Sequence, residues 1–92
     1  MSVLEIGDKT GRKIFLRKKQ WSHIRQEHPD VLEEEIEQTL KNPIKISSTE
    51  KPDKWHYYSY YKQKKFKFLR VIVRYLNGQG FVITAYFMPQ VK

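Results

Sequence analysis

The hydrophobic pattern along this chain changes period at Lys18 and again after Pro43. Before Lys18, Val3 to Ile6 and Lys13 to Arg17 read as short strands. The turn-rich Gly7-Asp8-Lys9-Thr10-Gly11 joins them into a candidate N-terminal hairpin. From Lys18, Trp21, Ile24 and His28 fall on one helical face with polar residues between them. Pro29 disfavours helical geometry at His28, so the first helix is expected to stop there. A second helix is expected to start at once, with Pro29 in its first turn and several acids near its positive end. Leu32, Ile36 and Leu40 form its apolar stripe, and Asn42-Pro43 ends it.

Beyond Pro43 the pattern is extended. Ile44 to Ser47 reads as a short strand and Ser48 to Lys54 as a polar loop. Trp55 to Tyr61 is a strand dense in aromatics, Lys62 to Lys65 a basic turn, and Phe66 to Leu76 a central strand. Asn77-Gly78 is a hairpin signal, and Gly80 to Met88 returns as the last strand. The expectation is a single α+β domain over residues 1–92. Two N-terminal helices would pack on a roughly four-stranded antiparallel sheet, with a short N-terminal hairpin beside it.

Charge sharpens this outline. The net charge of +8 favours polyanionic partners, nucleic acid or an anionic surface. It is also unevenly spread: Glu27, Asp30, Glu33, Glu34, Glu35 and Glu37 lie in a stretch to Leu40 that holds no Lys or Arg. If a polyanion binds, the acidic helix is expected to face away from it. Cysteine is absent, which removes disulfides and thiolate metal sites. No apolar run approaches the roughly 20 residues of a membrane-spanning helix, and Met1-Ser2-Val3-Leu4-Glu5 does not read as a signal peptide. The expected setting is cytoplasmic, with no membrane partner.

Chemistry concentrates in Trp21-Ser22-His23-Ile24-Arg25-Gln26-Glu27-His28-Pro29-Asp30, because histidine is the side chain best placed for proton transfer near neutral pH. His23 and His28 stand five residues apart, about 140° around a continuous helix. That spacing does not make the paired metal ligands of a zinc-protease helix, so neither a metal nor a cofactor is expected. On the strand Phe66 to Leu76, Phe68, Arg70, Ile72 and Arg74 share one side, with the two arginines about 13 Å apart. Guanidinium groups there suit phosphate oxygens and a developing phosphorane. The following strand is expected to place Val82, Thr84 and Tyr86 on one side, lining the same face. Of Trp55 to Tyr61, one face carries Trp55, Tyr57, Ser59 and Tyr61, and the other His56, Tyr58 and Tyr60. Tyr58 is a candidate stacking platform for unpaired bases. Lys62, Lys64, Lys65 and Lys67, together with Arg25 and Arg74, are candidate phosphate contacts.

In order along the chain, Trp21-Ser22-His23-Ile24, His28-Pro29-Asp30, Thr39-Leu40-Lys41-Asn42-Pro43, Arg70-Val71-Ile72-Val73 and Ile83-Thr84-Ala85-Tyr86 resemble a small member of the barnase–EndoU–colicin–RelE-like nuclease superfamily, nearest its phage-associated branches. The resemblance runs from about Lys13 to Tyr86. It implies helices on a four-stranded antiparallel sheet and metal-independent RNA cleavage, often by toxins that attack tRNA or ribosome-bound mRNA. The family's helix histidine would map onto His23 or His28, and its strand residues onto Arg70, Thr84 and Tyr86. Glu27 departs from the pattern, which has a basic residue before the second histidine.

The expected function is therefore a metal-independent endoribonuclease. His28 first, or His23 second, takes a proton from a ribose 2′-hydroxyl. Arg70, with Arg74, stabilises the phosphorane, and the second histidine or Tyr86 protonates the leaving oxygen. RNA is the expected partner, with an inhibitor protein as a further one. Two rival readings stay open at this point: a nucleic-acid-binding domain without catalysis, and an interaction module in which the tyrosine strand forms a homodimer.

Overall fold

The computed structural model describes residues 2–8 and 10–90, the side chains of Ser2 and Val3 excepted. Lys9, part of the expected hairpin turn, lies outside the described residues. The chain runs β1 (Ser2–Gly7), β2 (Lys13–Arg17), α1 (Lys18–Glu27), α2 (Glu33–Lys41), β3 (Lys45–Ser48), β4 (Lys54–Tyr60), β5 (Phe68–Leu76) and β6 (Gln79–Met88). The strands form one six-stranded sheet in the order β1-β2-β6-β5-β4-β3.

This corrects the expected four-stranded antiparallel sheet. The class remains α+β, but the sheet is mixed and the N-terminal hairpin is part of it. β2 runs parallel to β6 through the pairs Ile14↔Gly80 and Phe15↔Phe81, whereas the other neighbours are antiparallel. A parallel partner so far along the chain leaves no local mark, because each strand's own pattern is satisfied whichever edge it joins.

Alternation in β5 sends Leu69, Val71 and Val73 into the core, where Tyr57 of β4 and Val82, Ala85 and Phe87 of β6 join them. Ile6, Ile14 and Leu16 extend this layer under the hairpin, while Ile24 of α1 and Ile36 and Leu40 of α2 close it from above. Both helices thus cover one face of the sheet. α2, with its acids, packs against β1, β4 and β5. Gly80 is required where β6 passes β2 and β5. A Cβ there would meet Tyr75 Cε1 at 2.9 Å and Ile14 Cγ1 and Val73 Cγ1 at 3.0 Å.

α2 begins at Glu33, not at Pro29 as the sequence pattern suggests. The amide of Val31 donates to the His28 carbonyl (3.1 Å), and this turn drops Val31 into the core. Leu32 is then extended (ψ 150°), which delays the helix. Its amide donates to the Glu35 carboxylate at 2.9 Å, and three acids in the first turn face the positive helix end.

Asp8 pins the hairpin loop to the sheet. Its carboxylate accepts from the Thr10 amide and hydroxyl (2.9 and 2.8 Å), the Arg12 amide (2.9 Å) and the Tyr57 hydroxyl (2.8 Å), and Tyr57 is bonded in turn to the Tyr75 hydroxyl. Burial alone would raise the Asp8 carboxyl, but these donors outweigh it and hold the group below its ordinary range. Among the described residues no helix is long and apolar enough to cross a membrane.

Candidate active site

Among the described residues no helix or strand layer covers the sheet face opposite α2, and the chemistry of that face follows from register. Arg70 stands across from Tyr58 on β4 and from Tyr86 on β6, and Ile72 across from His56 and Thr84. Cross-strand partners project to the same side, so all six occupy the open face. The expected grouping of Val82 with Thr84 and Tyr86 is corrected by a bulge. Val73 pairs with Val82 while Ile72 pairs with Thr84, leaving Ile83 as the extra residue. The alternation resets there, sending Val82 to the core and keeping Thr84 and Tyr86 outside.

α1 reaches this face because β2 leaves β6 early. Past the Phe15↔Phe81 pair the edge of β6 is free of strand, and α1 packs beside it. Gln20 Nε2 donates to the Ile83 carbonyl at 3.2 Å, satisfying an acceptor that a neighbouring strand would otherwise take. The helix thereby brings His23 and His28 over Thr84 and Tyr86, around a cleft of about 450 Å³ that Lys19 and Glu27 also line. His28 is half-buried at the helix end, its ring 5.6 Å from that of Tyr86 and tilted by 43°. His23 is exposed, with Nε2 3.6 Å from the Glu27 carboxylate.

Arg70 is the hub. Nη1 donates to the Tyr86 hydroxyl at 2.7 Å and Nε to the Tyr58 hydroxyl at 3.1 Å, and the guanidinium carbon lies 5.6 and 5.2 Å from those two rings. Burial opposes the charge, but the two phenols more than restore it, so Arg70 is held firmly protonated. These bonds take two of the five guanidinium N–H donors. Tyr58 is only 2% exposed, which makes it a support for Arg70 more than a stacking platform. Because its oxygen accepts from Arg70, its own hydrogen is free to be given to His56 Nδ1, 3.3 Å away. Burial, and secondarily the Arg70 charge, push the His56 imidazole below its ordinary value and favour the neutral acceptor.

Tyr86, Arg70 and Tyr58 therefore form one row across β6, β5 and β4, joined by His28 from the end of α1 and by His56 from the neighbouring row. His56 is absent from the candidates read off the sequence. Its place on the same strand face as Tyr58 is the signal, and only the β4–β5 register turns that signal into a contact.

The other basic candidates lie apart from this row. Arg74 is tied to Asp53 (Nε to Oδ2, 2.8 Å) and lines a neighbouring groove. Arg25 is exposed in the last turn of α1, suited to the negative helix end. Lys62, Lys65 and Lys67 are exposed on the β4–β5 connection. Lys64 turns to the helix side, donating to the Asp30 carbonyl (3.0 Å), reaching Glu35 (3.5 Å) and covering the Phe87 ring. Among the described residues no group of three or more His, Asp or Glu is placed to hold a metal ion. No family model, curated protein or solved structure matches this chain.

Proposed function

We propose that this protein is an endoribonuclease that cleaves RNA by internal attack of the 2′-hydroxyl, without calling on a metal, in the manner of the barnase–EndoU–colicin–RelE-like enzymes. The observation that carries the reading is the convergence of His28, from the helix end, with the Arg70–Tyr86 pair of the sheet. An imidazole and a phenol meet at one cleft on the side of the molecule opposite its acidic helix, and the phenol is bonded in turn to a fixed guanidinium.

In this scheme a phosphodiester sits on the free N–H groups of Arg70, with Thr84 at its edge. His28 takes the proton of the 2′-hydroxyl as the 2′-oxygen bonds to phosphorus. Arg70 stabilises the charge on the five-coordinate phosphorane. The P–O5′ bond then breaks, and the leaving oxygen takes a proton from Tyr86. That phenol is suited to the role because its oxygen already accepts from Arg70 and its own hydrogen is unspent. The proton on His28 returns to the phenolate, leaving a 2′,3′-cyclic phosphate and a 5′-hydroxyl. His56 and Tyr58 take no proton from substrate; they fix the angle of the guanidinium.

Incubation of the purified protein with tRNA and total RNA in EDTA tests this. Fragments ending in 2′,3′-cyclic phosphate are expected, and intact RNA at stoichiometric protein would defeat the reading.

A further inference from the structure

The Tyr58 hydroxyl stands between two side chains of different kind. Arg70 Nε donates to its oxygen at 3.1 Å, and His56 Nδ1 lies 3.3 Å from it. Among the described residues it has no other partner. An arginine only donates, so the phenolic hydrogen is directed to His56. Tyr58 is 2% exposed, which makes water a poor substitute acceptor. Nδ1 takes that hydrogen only while the imidazole is neutral and carries its own hydrogen on Nε2.

The surroundings of His56 favour that form. Ser47 and Ile72 flank it from β3 and β5 and carry no charge. Lys54 precedes it on the same face of β4, and Glu50 and Lys51 of the β3–β4 connection line the same depression. Arg74, diagonally across on β5, is tied to Asp53. Lys51, Lys54 and Arg70 thus outnumber the carboxylate of Glu50. Burial, and secondarily the Arg70 charge, hold the imidazole below its ordinary value. Two strand spacings, about 10 Å, separate His56 from Thr84 across β5. Its effect on a phosphate in the cleft therefore passes through Tyr58 and Arg70.

We propose that His56 is a positioning residue with a proton-dependent setting: neutral, it holds the Tyr58 hydroxyl so that Arg70 is clamped between Tyr58 and Tyr86, and protonated, it releases that clamp. This rests on the proposed cleavage and adds to it a regulation by pH. Protonation turns Nδ1 into a second donor aimed at the oxygen that Arg70 already uses. It also sets a positive ring opposite the guanidinium and leaves the phenolic hydrogen of a buried group without its acceptor. Arg70 then keeps the Tyr86 bond alone and can pivot about it. A cation added to this face would by itself strengthen the hold on a polyanion. A fall in rate as His56 charges therefore has the opposite sign to simple electrostatics.

The test follows the His56 ring and the Arg70 Nε–H together, by nitrogen NMR of isotopically labelled wild-type protein from about pH 7.5 to about pH 5, where histidine titrates. The neutral ring should carry its hydrogen on Nε2 and none on Nδ1. As His56 takes a proton, Arg70 Nε–H should exchange with water about tenfold faster, the change expected when one bond to a charged group is lost. The reference is Arg74 Nε–H, which Asp53 holds independently. Tyr58→Phe should abolish the dependence of Arg70 on His56. Single-turnover cleavage in EDTA supplies the second arm. His28 must also be neutral to act as base, so the wild-type rate should fall with pH more steeply than one proton allows. His56→Ala should slow cleavage near neutral pH by about 10- to 10²-fold, the scale of a reacting group misplaced by up to ~1 Å. His56→Gln, whose amide oxygen accepts the same hydrogen without titrating, should recover most of that loss and return the fall to one proton. Arg70 exchange indifferent to His56 protonation, a hydrogen found on Nδ1 of the neutral ring, or a rate that rises as His56 charges would overturn the switch. Coupled signals as expected, in a protein that leaves RNA intact, would defeat the cleavage reading and leave the switch standing. RNA cleavage with superimposed pH profiles for wild type and His56→Gln would do the reverse.

Discussion

Arg70 gives one guanidinium N–H to the Tyr86 hydroxyl across 2.7 Å, and this bond joins the sheet's fixed charge to the phenol beside His28. A lysine would keep the charge but not the fork that spans Tyr86 and Tyr58. Arg70→Lys is expected to lower kcat/KM on a dinucleotide about 10²–10³-fold, the scale of removing one transition-state donor. A thermal melt should show the fold retained.

His56 carries a pH signature of its own. The groups facing it are Tyr58, Arg70, Lys54, Lys51 and Glu50, with Ser47 across from it on β3. Its folded midpoint lies below the ordinary 6.5, so the unfolded chain binds the proton more readily. The stabilisation is complete above that value and is lost as pH falls through it toward the folded midpoint. Denaturant unfolding between pH 7.5 and 5 (roughly the range in which histidine titrates) should show a slope that His56→Gln reduces.

Asp8 acts at more acidic pH. Its carboxyl is held below the ordinary 3.8, so its contribution is present above that value and is lost as pH falls through the lower folded midpoint. The Tyr57 phenol is pushed far up by burial and by its bonds to Tyr75 and Asp8, and remains a donor throughout. Asp8→Asn is expected to cost about 1–3 kcal/mol at neutral pH by leaving buried donors short of an acceptor. The deficit should shrink toward pH 2 (about two units below the ordinary carboxyl value). Thermal unfolding across that range checks it.

Gly80 marks where the parallel and antiparallel pairings of β6 meet. Gly80→Ala would press a methyl against Tyr75, Ile14 and Val73, and is expected to destabilise by about 1–3 kcal/mol, the usual scale of overpacking. A urea melt should show a lower midpoint with an unchanged slope.

Periodicity made the individual elements legible. The alternation of Phe68 to Leu76 and the Asn77-Gly78 signal fix β5 and the turn into β6, and the helical spacing of Trp21, Ile24 and His28 marks α1. What stayed hidden depends on partners distant in sequence. Nothing in Lys13 to Arg17 announces a parallel neighbour at Gly80. The bulge at Ile83 is set by competing demands of the core and the open face, so plain alternation misplaced Val82. Pro29 is compatible with a helix start, and only the burial of Val31 shows why the helix waits until Glu33. In the site, His28, Arg70, Thr84 and Tyr86 were candidates by residue type and strand face. His56 was not, because its value comes from Tyr58, and the value of Tyr58 comes from the register with Arg70.

The most direct measurement is single-turnover cleavage of a labelled RNA in EDTA by the wild-type protein and by His28→Ala at equal, saturating concentration. The account predicts cyclic-phosphate ends from the wild type and a rate about 10²–10⁴-fold lower in the variant, the range for removal of a general base, with melting temperature and affinity for a 2′-deoxy strand preserved. Equal rates from the two proteins would contradict it.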